Sequence, residues 1–219
     1  MRICSALFCS VFCLFVLGVS QSSAASCSAN ASNLVVNCGF ETGTFTGWTL
    51  SGNDVPAELN NLYGVEGVDP IDNIAPHSGS YQAYSGDLAS NALTLSQTLT
   101  TNPEHAYTVS FFLAQDTLAT GPYPNTLTVT FDGVTLYSAT DVPVEGYTEY
   151  SFSGSAVLGS TVLDITLGNS LGEFLLDDVS VTIAPLPEPS TWILALTGGI
   201  LAAGIILFRR KSVSLPALP

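Results

Sequence analysis

Leu127-Thr128-Val129-Thr130-Phe131-Asp132-Gly133-Val134-Thr135-Leu136-Tyr137 decides the fold. Leu127, Val129 and Phe131 recur with a period of two, the spacing of one face of a β-strand, and the threonines between them fall on the other face. Asp132-Gly133 is a pair suited to a two-residue hairpin turn. The same rhythm extends in both directions. Upstream, Tyr107, Val109, Phe111 and Leu113 share a face, as do Leu93, Leu95, Gln97 and Leu99 within Ala92–Thr100. Downstream come Tyr150 with Phe152, then Leu163, Ile165 and Leu167 alternating with Asp164 and Thr166, and a last strand over Phe174–Ile183. Leu34-Val35-Val36 reads as the start of a first strand, followed by apolar Phe45, Trp48 and Leu50. No stretch between Asn33 and Ala184 carries a helical period, and there is no internal repeat. Many short strands without intervening helices predict an all-β domain over 26–184, a two-sheet antiparallel sandwich.

Charge narrows the possible partners. The four basic residues of the 219 are Arg2, Arg209, Arg210 and Lys211, while all 18 acidic residues lie between Ser26 and Glu188. A domain with no Lys or Arg has nothing to neutralise phosphates, which excludes nucleic acid as a partner and argues against direct adhesion to anionic lipid. Such a surface repels its own kind unless cations screen it, and its carboxylates are the hard oxygen donors that calcium takes.

The two ends carry address signals. Arg2, the apolar stretch Ile3–Val19 and the small residues Ser22-Ser23-Ala24-Ala25 have the layout of a secretory signal peptide over 1–25, cleaved after Ala25. Cys4, Cys9 and Cys13 leave with it. The remaining Cys27 and Cys38 would meet an oxidising compartment, where a disulfide pinning the N-terminal arm is expected, the alternative being two unpaired thiols. At the other end, Pro187-Glu188-Pro189 forms a stiff break. It precedes an uncharged run from Trp192 to Phe208 and the cluster Arg209-Arg210-Lys211. As a helix the run would reach about 26 Å, close to a bilayer's hydrocarbon thickness, with the basic cluster held on the cytoplasmic side.

This order of features resembles the PEP-CTERM sorting signal of exopolysaccharide-producing Gram-negative bacteria. The resemblance implies a sorting signal over 185–211 with a transmembrane helix at 191–208, and a short cytoplasmic tail at 212–219. It also implies recognition by an exosortase that cleaves near the Pro-Glu-Pro element. The chain would then be held in the inner membrane with its domain outside the cytoplasm, and reach the cell surface or extracellular matrix after processing. Ser212–Pro219 runs further past the basic cluster than such tails usually do.

Within the domain, Asn53 to Ser78 reads as one long oxygen-rich loop, a candidate sugar- or ion-binding flap or a solvated insertion. Tyr63 and Tyr123 fall in expected loops and are the candidates for stacking on sugar rings, whereas Trp48 reads as a core anchor. The two histidines, His77 and His105, lie far apart in the sequence, and no nucleophile elbow or metal-ligand spacing accompanies them. A carboxylate pair could cut a glycoside, but no two of the many acids stand out. The domain therefore reads as non-catalytic.

Asn37-Cys38-Gly39-Phe40-Glu41, Gly47-Trp48, Ser78-Gly79-Ser80-Tyr81 and Leu176-Asp177-Asp178-Val179-Ser180-Val181 occur in that order. Together they resemble the galactose-binding-like jelly rolls, which include many carbohydrate-binding modules. Cys38 stands where that family usually has a glycine. The resemblance implies a jelly-roll sandwich and a structural calcium ion held by Glu41 and Asp177. The residues add a reason of their own: Asp177 shares strand parity with Val179, Val181 and Ile183, so it should point coreward, and the domain has no Lys or Arg to pair with it. Asp178, of opposite parity, is expected to be solvated. The alternative is that Asp177 lies at a sheet rim, satisfied by backbone N–H groups. Expected, then, is an exported surface protein that binds or organises extracellular polysaccharide. A purely structural calcium-stabilised matrix protein and a small glycan-active enzyme are the alternatives.

Overall fold

The computed structural model describes residues 27–52, 62–70, 72–86, 92–116, 124–143, 146–169 and 172–185. The expected signal peptide, Tyr123, and the sorting signal beyond residue 185 with its transmembrane helix and tail lie outside them. Among the described residues, no helix is long and apolar enough to cross a membrane.

After a short 3-10 turn at Cys27–Ala29, ten strands follow: β1 Thr49–Ser51, β2 Tyr63–Glu66, β3 Gln82–Ser85, β4 Leu93–Thr100, β5 Ala106–Gln115, β6 Thr126–Phe131, β7 Val134–Thr140, β8 Thr148–Ser155, β9 Ser160–Gly168 and β10 Phe174–Ile183. They form two five-stranded antiparallel sheets. Sheet A has the order β1-β4-β9-β6-β7 and sheet B the order β2-β3-β10-β5-β8, which makes the domain a jelly-roll sandwich. The period-two residues do what their spacing requires. Leu93, Leu95 and Leu99 of β4, Leu127, Val129 and Phe131 of β6, and Leu163, Ile165 and Leu167 of β9 are buried against Tyr107, Val109, Phe111 and Leu113 of β5. Asp132 and Gly133 join β6 to β7 with φ of 54° and 75°, the two positive angles of the expected hairpin.

Leu34-Val35-Val36 does not form the expected strand, because side chains take the hydrogen bonds a neighbouring strand would make. Asn33 Oδ1 accepts from Val35 N and Val181 N, its Nδ2 donates to Val179 O, and Gln97 Oε1 accepts from Val36 N. The arm lies along β10 instead, with Leu34 N donating to Val181 O and Val179 N to Cys38 O. Cys27 and Cys38 are disulfide-bonded. Closing a loop of that length stabilises the fold by about 3 kcal/mol in the chain-entropy model. Trp48 is the expected core anchor, buried and stacked on Phe40 at 5.8 Å.

The outer faces of the two sheets differ. Sheet A presents Thr94, Ser96, Thr126, Thr128, Thr130, Asp164 and Thr166 in unbroken alternation with the core residues. On sheet B, the alternation breaks in β10. There the register against β5 slips between Asp177 and Ser180, so Asp177 lies opposite Phe112 while Ser180 lies opposite Ser110. This β-bulge, with Asp178 at φ 49°, moves the inward positions from Phe174 and Leu176 to Val179 and Val181.

Candidate functional site

The bulge builds the polar centre of the molecule. Asp177 does not share the inward parity of Val179 and Val181; ahead of the bulge it belongs with Leu175 and Phe112 on the outer face of sheet B. It is nevertheless fully buried, because the segment between β2 and β3 folds over it. Ser78 N donates to Asp177 Oδ2 at 3.0 Å and Asp178 N to Asp177 Oδ1 at 2.7 Å. Asp178 is not solvated either. It is buried, accepting from Cys27 N and Ser78 Oγ at Oδ1 and from His77 Nδ1 at Oδ2, each at 2.8 Å. The His77 ring lies flat on Phe112, centroids 3.5 Å apart, with Tyr147 edge-on at 5.4 Å. Glu41 stands beside this group, accepting from Ser80 N and Tyr81 N. Gly79 between them has φ +64°, and a Cβ there would lie 2.1 Å from Glu41 Oε1, so only glycine lets the loop wrap that carboxylate.

Burial pushes the Asp177 carboxyl up to about 7, with Asp178 and Glu41 adding to the rise and the N–H donors opposing it. Glu41 and Asp177 thus lie in one electrostatic neighbourhood, bridged by Ser78–Tyr81. Their chemistry suits a hard divalent cation: oxygen donors, one fully buried carboxylate, and no Lys or Arg in the domain to compensate it. The N–H donors leave each carboxylate oxygen a further lone pair for an ion.

A second group lies along the same outer face. Gly64, Tyr84, Leu175 and Ala114 form one row across β2, β3, β10 and β5. Gly64 has no Cβ, and that is what admits the Tyr84 ring, whose nearest atom would lie 2.6 Å from one. In the adjacent row Gln82 Nε2 donates to Glu66 Oε1 and Ile74 O, and the Tyr147 hydroxyl donates to Gln82 Oε1. Glu66, Asp69 and Glu173 bring carboxylate oxygens within 4.8 Å of one another. Burial, then Glu66, Asp116 and Asp69, push Glu173 up to about 7. Glu66 is raised by burial and Asp69, and the Tyr84 hydroxyl by burial, Glu173 and Glu66. Such a group can share a proton or receive a cation, and with Tyr84 beside it can meet a ring bearing hydroxyls.

Of the residues singled out by sequence, Glu41 and Asp177 both accept from the Ser78–Tyr81 loop, and Cys27 and Cys38 are joined. Tyr63 lies in β2 rather than in a loop, half-buried with its ring 6.4 Å from Phe45. Sequence reasoning missed Ser78, His77 and Asp178 as carboxylate partners, and Tyr84, Gln82 and Glu173 as a surface. Glu66 and Asp69 were visible only as part of an oxygen-rich segment. A signal for Tyr84 existed in Gln82-Ala83-Tyr84-Ser85, where period two sets Tyr84 opposite to buried Ala83.

No protein-family model matches the chain, and no curated protein matches it. Among solved structures, the chain is similar to TmCBM61 in complex with β-1,4-galactotriose, at 22% identity over 69% of this chain and 99% of that one, with a TM-score of 0.49. It is similar to the CBM22-1 xylan-binding domain of Xyn10C from Paenibacillus barcinonensis, at 20% identity over 68% and 93%, TM-score 0.41. It is also similar to the enzymatically active domain of tailspike protein 4 from bacteriophage CBA120, at 16% identity over 70% of this chain and 22% of that one, TM-score 0.48. At these identities the likeness is one of fold alone.

Proposed function

We propose that this chain is an exported surface protein whose jelly roll binds extracellular polysaccharide without catalysis, on the outer face of sheet B. The observation that supports it most is the row through Gly64 and Tyr84, where an aromatic ring is laid across the sheet beside Gln82, Glu66 and Glu173. A sugar ring offers an apolar C–H face to such a tyrosine and its hydroxyls to the half-buried Glu66 and Glu173 carboxylates, which the buried Gln82 amide helps to hold in place. In the same proposal, an exosortase recognises Pro187, Glu188 and Pro189 and releases the domain from its anchor. Glu41 and Asp177 hold a calcium ion; bound there, it would neutralise the buried carboxylates and tie the Ser78–Tyr81 loop to β10. The test is retention of the full-length chain on the producer's own polysaccharide. Tyr84→Ala should weaken it about tenfold, or ~1.4 kcal/mol. Retention unchanged by that variant sinks this surface as the binding site.

One observation favours a second reading, a small glycan-active enzyme. Glu173 is pushed up to about 7 beside Glu66 and Asp69, the kind of pairing in which one carboxyl keeps a proton while a neighbour is ionised. Release of reducing sugar from the polysaccharide, abolished by Glu173→Gln, would establish it over the first.

A further inference from the structure

The end of the sandwich where β5 stops and β8 and β10 begin holds a cavity of about 180 Å3, walled by Leu113, Val142, Tyr150 and Phe174, with Gln115 among them. Gln115 is only 3% exposed, and its Nε2 has no hydrogen-bond partner among the described residues. The orientation of this amide follows from its neighbours. Val142 N donates to Asn125 Oδ1 at 2.6 Å, which makes Asn125 Nδ2 the donor toward both Val142 O and Gln115, each at 2.9 Å. The Gln115 atom receiving that bond must be Oε1, so the end left free is the donor. A buried N–H without an acceptor costs about 1–3 kcal/mol, and a compact native fold retains one where something supplies the acceptor.

We propose that this cavity takes the acetyl group of a sugar, deepening the polysaccharide-binding reading on which it rests. An acetyl carbonyl accepts from Gln115 Nε2, and its methyl meets the apolar wall. Other substituents fit less well. A hydroxyl can accept from Gln115 Nε2 but carries no methyl to cover the apolar wall of Leu113, Val142 and Phe174. An ammonium has only donors, and a carboxylate would be buried in a domain with no Lys or Arg. At about 180 Å3 the space is below the ~300 Å3 at which whole-ligand pockets begin. It therefore receives a substituent, while the sugar ring stays at the exposed rim formed by Pro143 and Thr148. Water alone would be poorly held, since each ordered molecule wants about 2–4 polar partners and these walls are mainly apolar.

The experiment titrates the full-length chain with N-acetylated, O-acetylated and unacetylated forms of one hexose or hexosamine oligosaccharide, by calorimetry. At least one acetylated form should bind tenfold or more tightly than the unacetylated one, the two acetylated arms telling amide from ester. Gln115→Leu, which leaves Asn125 its Val142 partner, should erase that preference, as should Val142→Phe, which fills the cavity without touching the amide. Equal binding of all three forms, or a preference intact in Gln115→Leu, overturns the proposal while leaving polysaccharide binding standing. If no oligosaccharide binds, polysaccharide binding fails instead and the cavity is read with N-methylacetamide. Shifts of the Val142 and Thr148 methyl NMR signals in the wild type but not in Gln115→Leu then uphold the acetyl pocket, and their absence removes it.

Discussion

The outer faces of the two sheets each carry aspartate, and the aspartates end in opposite states. On sheet A, outward side chains pair across the strands: Thr94 Oγ1 with Thr166 Oγ1 at 2.8 Å, Thr128 Oγ1 with Ser138 Oγ at 3.2 Å, and Ser96 and Thr130 both donating to Asp164. No described segment folds over that face, and its one strand-borne carboxylate is bonded by its neighbours. On sheet B, one extra residue in β10 turns Asp177 outward, yet a loop then covers it, leaving Asp177 and Asp178 buried with no Lys or Arg partner, Asp178 meeting His77 instead. Along β4, β6 and β9 unbroken alternation produces a polar outer face; the interruption in β10 concentrates buried carboxylates in one place, which the slip between β6 and β7 does not. Buried charge is expensive, so sheet B is where specific chemistry is to be sought.

The largest effect expected from that contrast is at Asp178. Its carboxylate is the common acceptor for Cys27 N, Ser78 Oγ and His77 Nδ1, so Asp178→Ala strands three donors and should destabilise the fold by about 3–5 kcal/mol. Asp178→Asn keeps one acceptor oxygen and tolerates the positive φ, and should recover a good part of the loss. Urea denaturation of both variants measures it. Equal stability of Asp178→Ala and wild type would mean that the buried acids on sheet B matter no more than the hydroxyls on sheet A.

A second, smaller effect separates the faces by pH. Asp177 and Glu173 both sit near 7 in the fold, above ordinary values of 3.8 and 4.5. A raised folded-state pKa stabilises while the group is protonated, and that stabilisation is lost as pH rises through the folded value. In chelator, the melting temperature should therefore fall between pH 5 and pH 8. Calcium at a hundredfold excess over its Kd should restore about 2.7 kcal/mol at pH 8, and Asp177→Asn should remove both the calcium response and part of the pH slope. A melt at pH 8 indifferent to calcium eliminates the metal site.

These two regions also differ in how far sequence alone exposes them. Sheet A was legible because its information is local: Leu127–Tyr137 carries the period, the turn pair and the next strand within eleven residues. The same held for Phe174–Ile183 as a strand, but not for the slip inside it. A bulge is fixed by pairing with β5, some seventy residues earlier in the chain, so strict period two gave Asp177 the wrong face and Asp178 the wrong solvation. Strand β2 was hidden for another reason. Tyr63-Gly64-Val65-Glu66 is short and carries a glycine, poor in strands by propensity, whose missing Cβ has a purpose only once Tyr84 lies across it. Glu173 joins Glu66 and Asp69 through the fold over a separation of more than a hundred residues, beyond any local pattern. The pairing of Cys27 with Cys38 was accessible because two cysteines leave a single intramolecular choice.

The smallest expected effect is the control that gives the contrast its meaning. Thr166 lies in a central strand of sheet A, on the outward face, and its hydroxyl bonds only to Thr94 among the described side chains. Thr166→Val keeps the β-branched shape and removes the hydroxyl. Because water can take over the partner left behind, the change should stay within about 0.5 kcal/mol. It should also leave polysaccharide retention and the calcium response where they were. A loss of retention in Thr166→Val, with the melting temperature unchanged, would place a ligand on the threonine face and reverse the assignment of the two sheets. A loss of stability well beyond that range would show instead that the hydroxyl ladder holds sheet A together, and that the outer faces differ less than their burial implies.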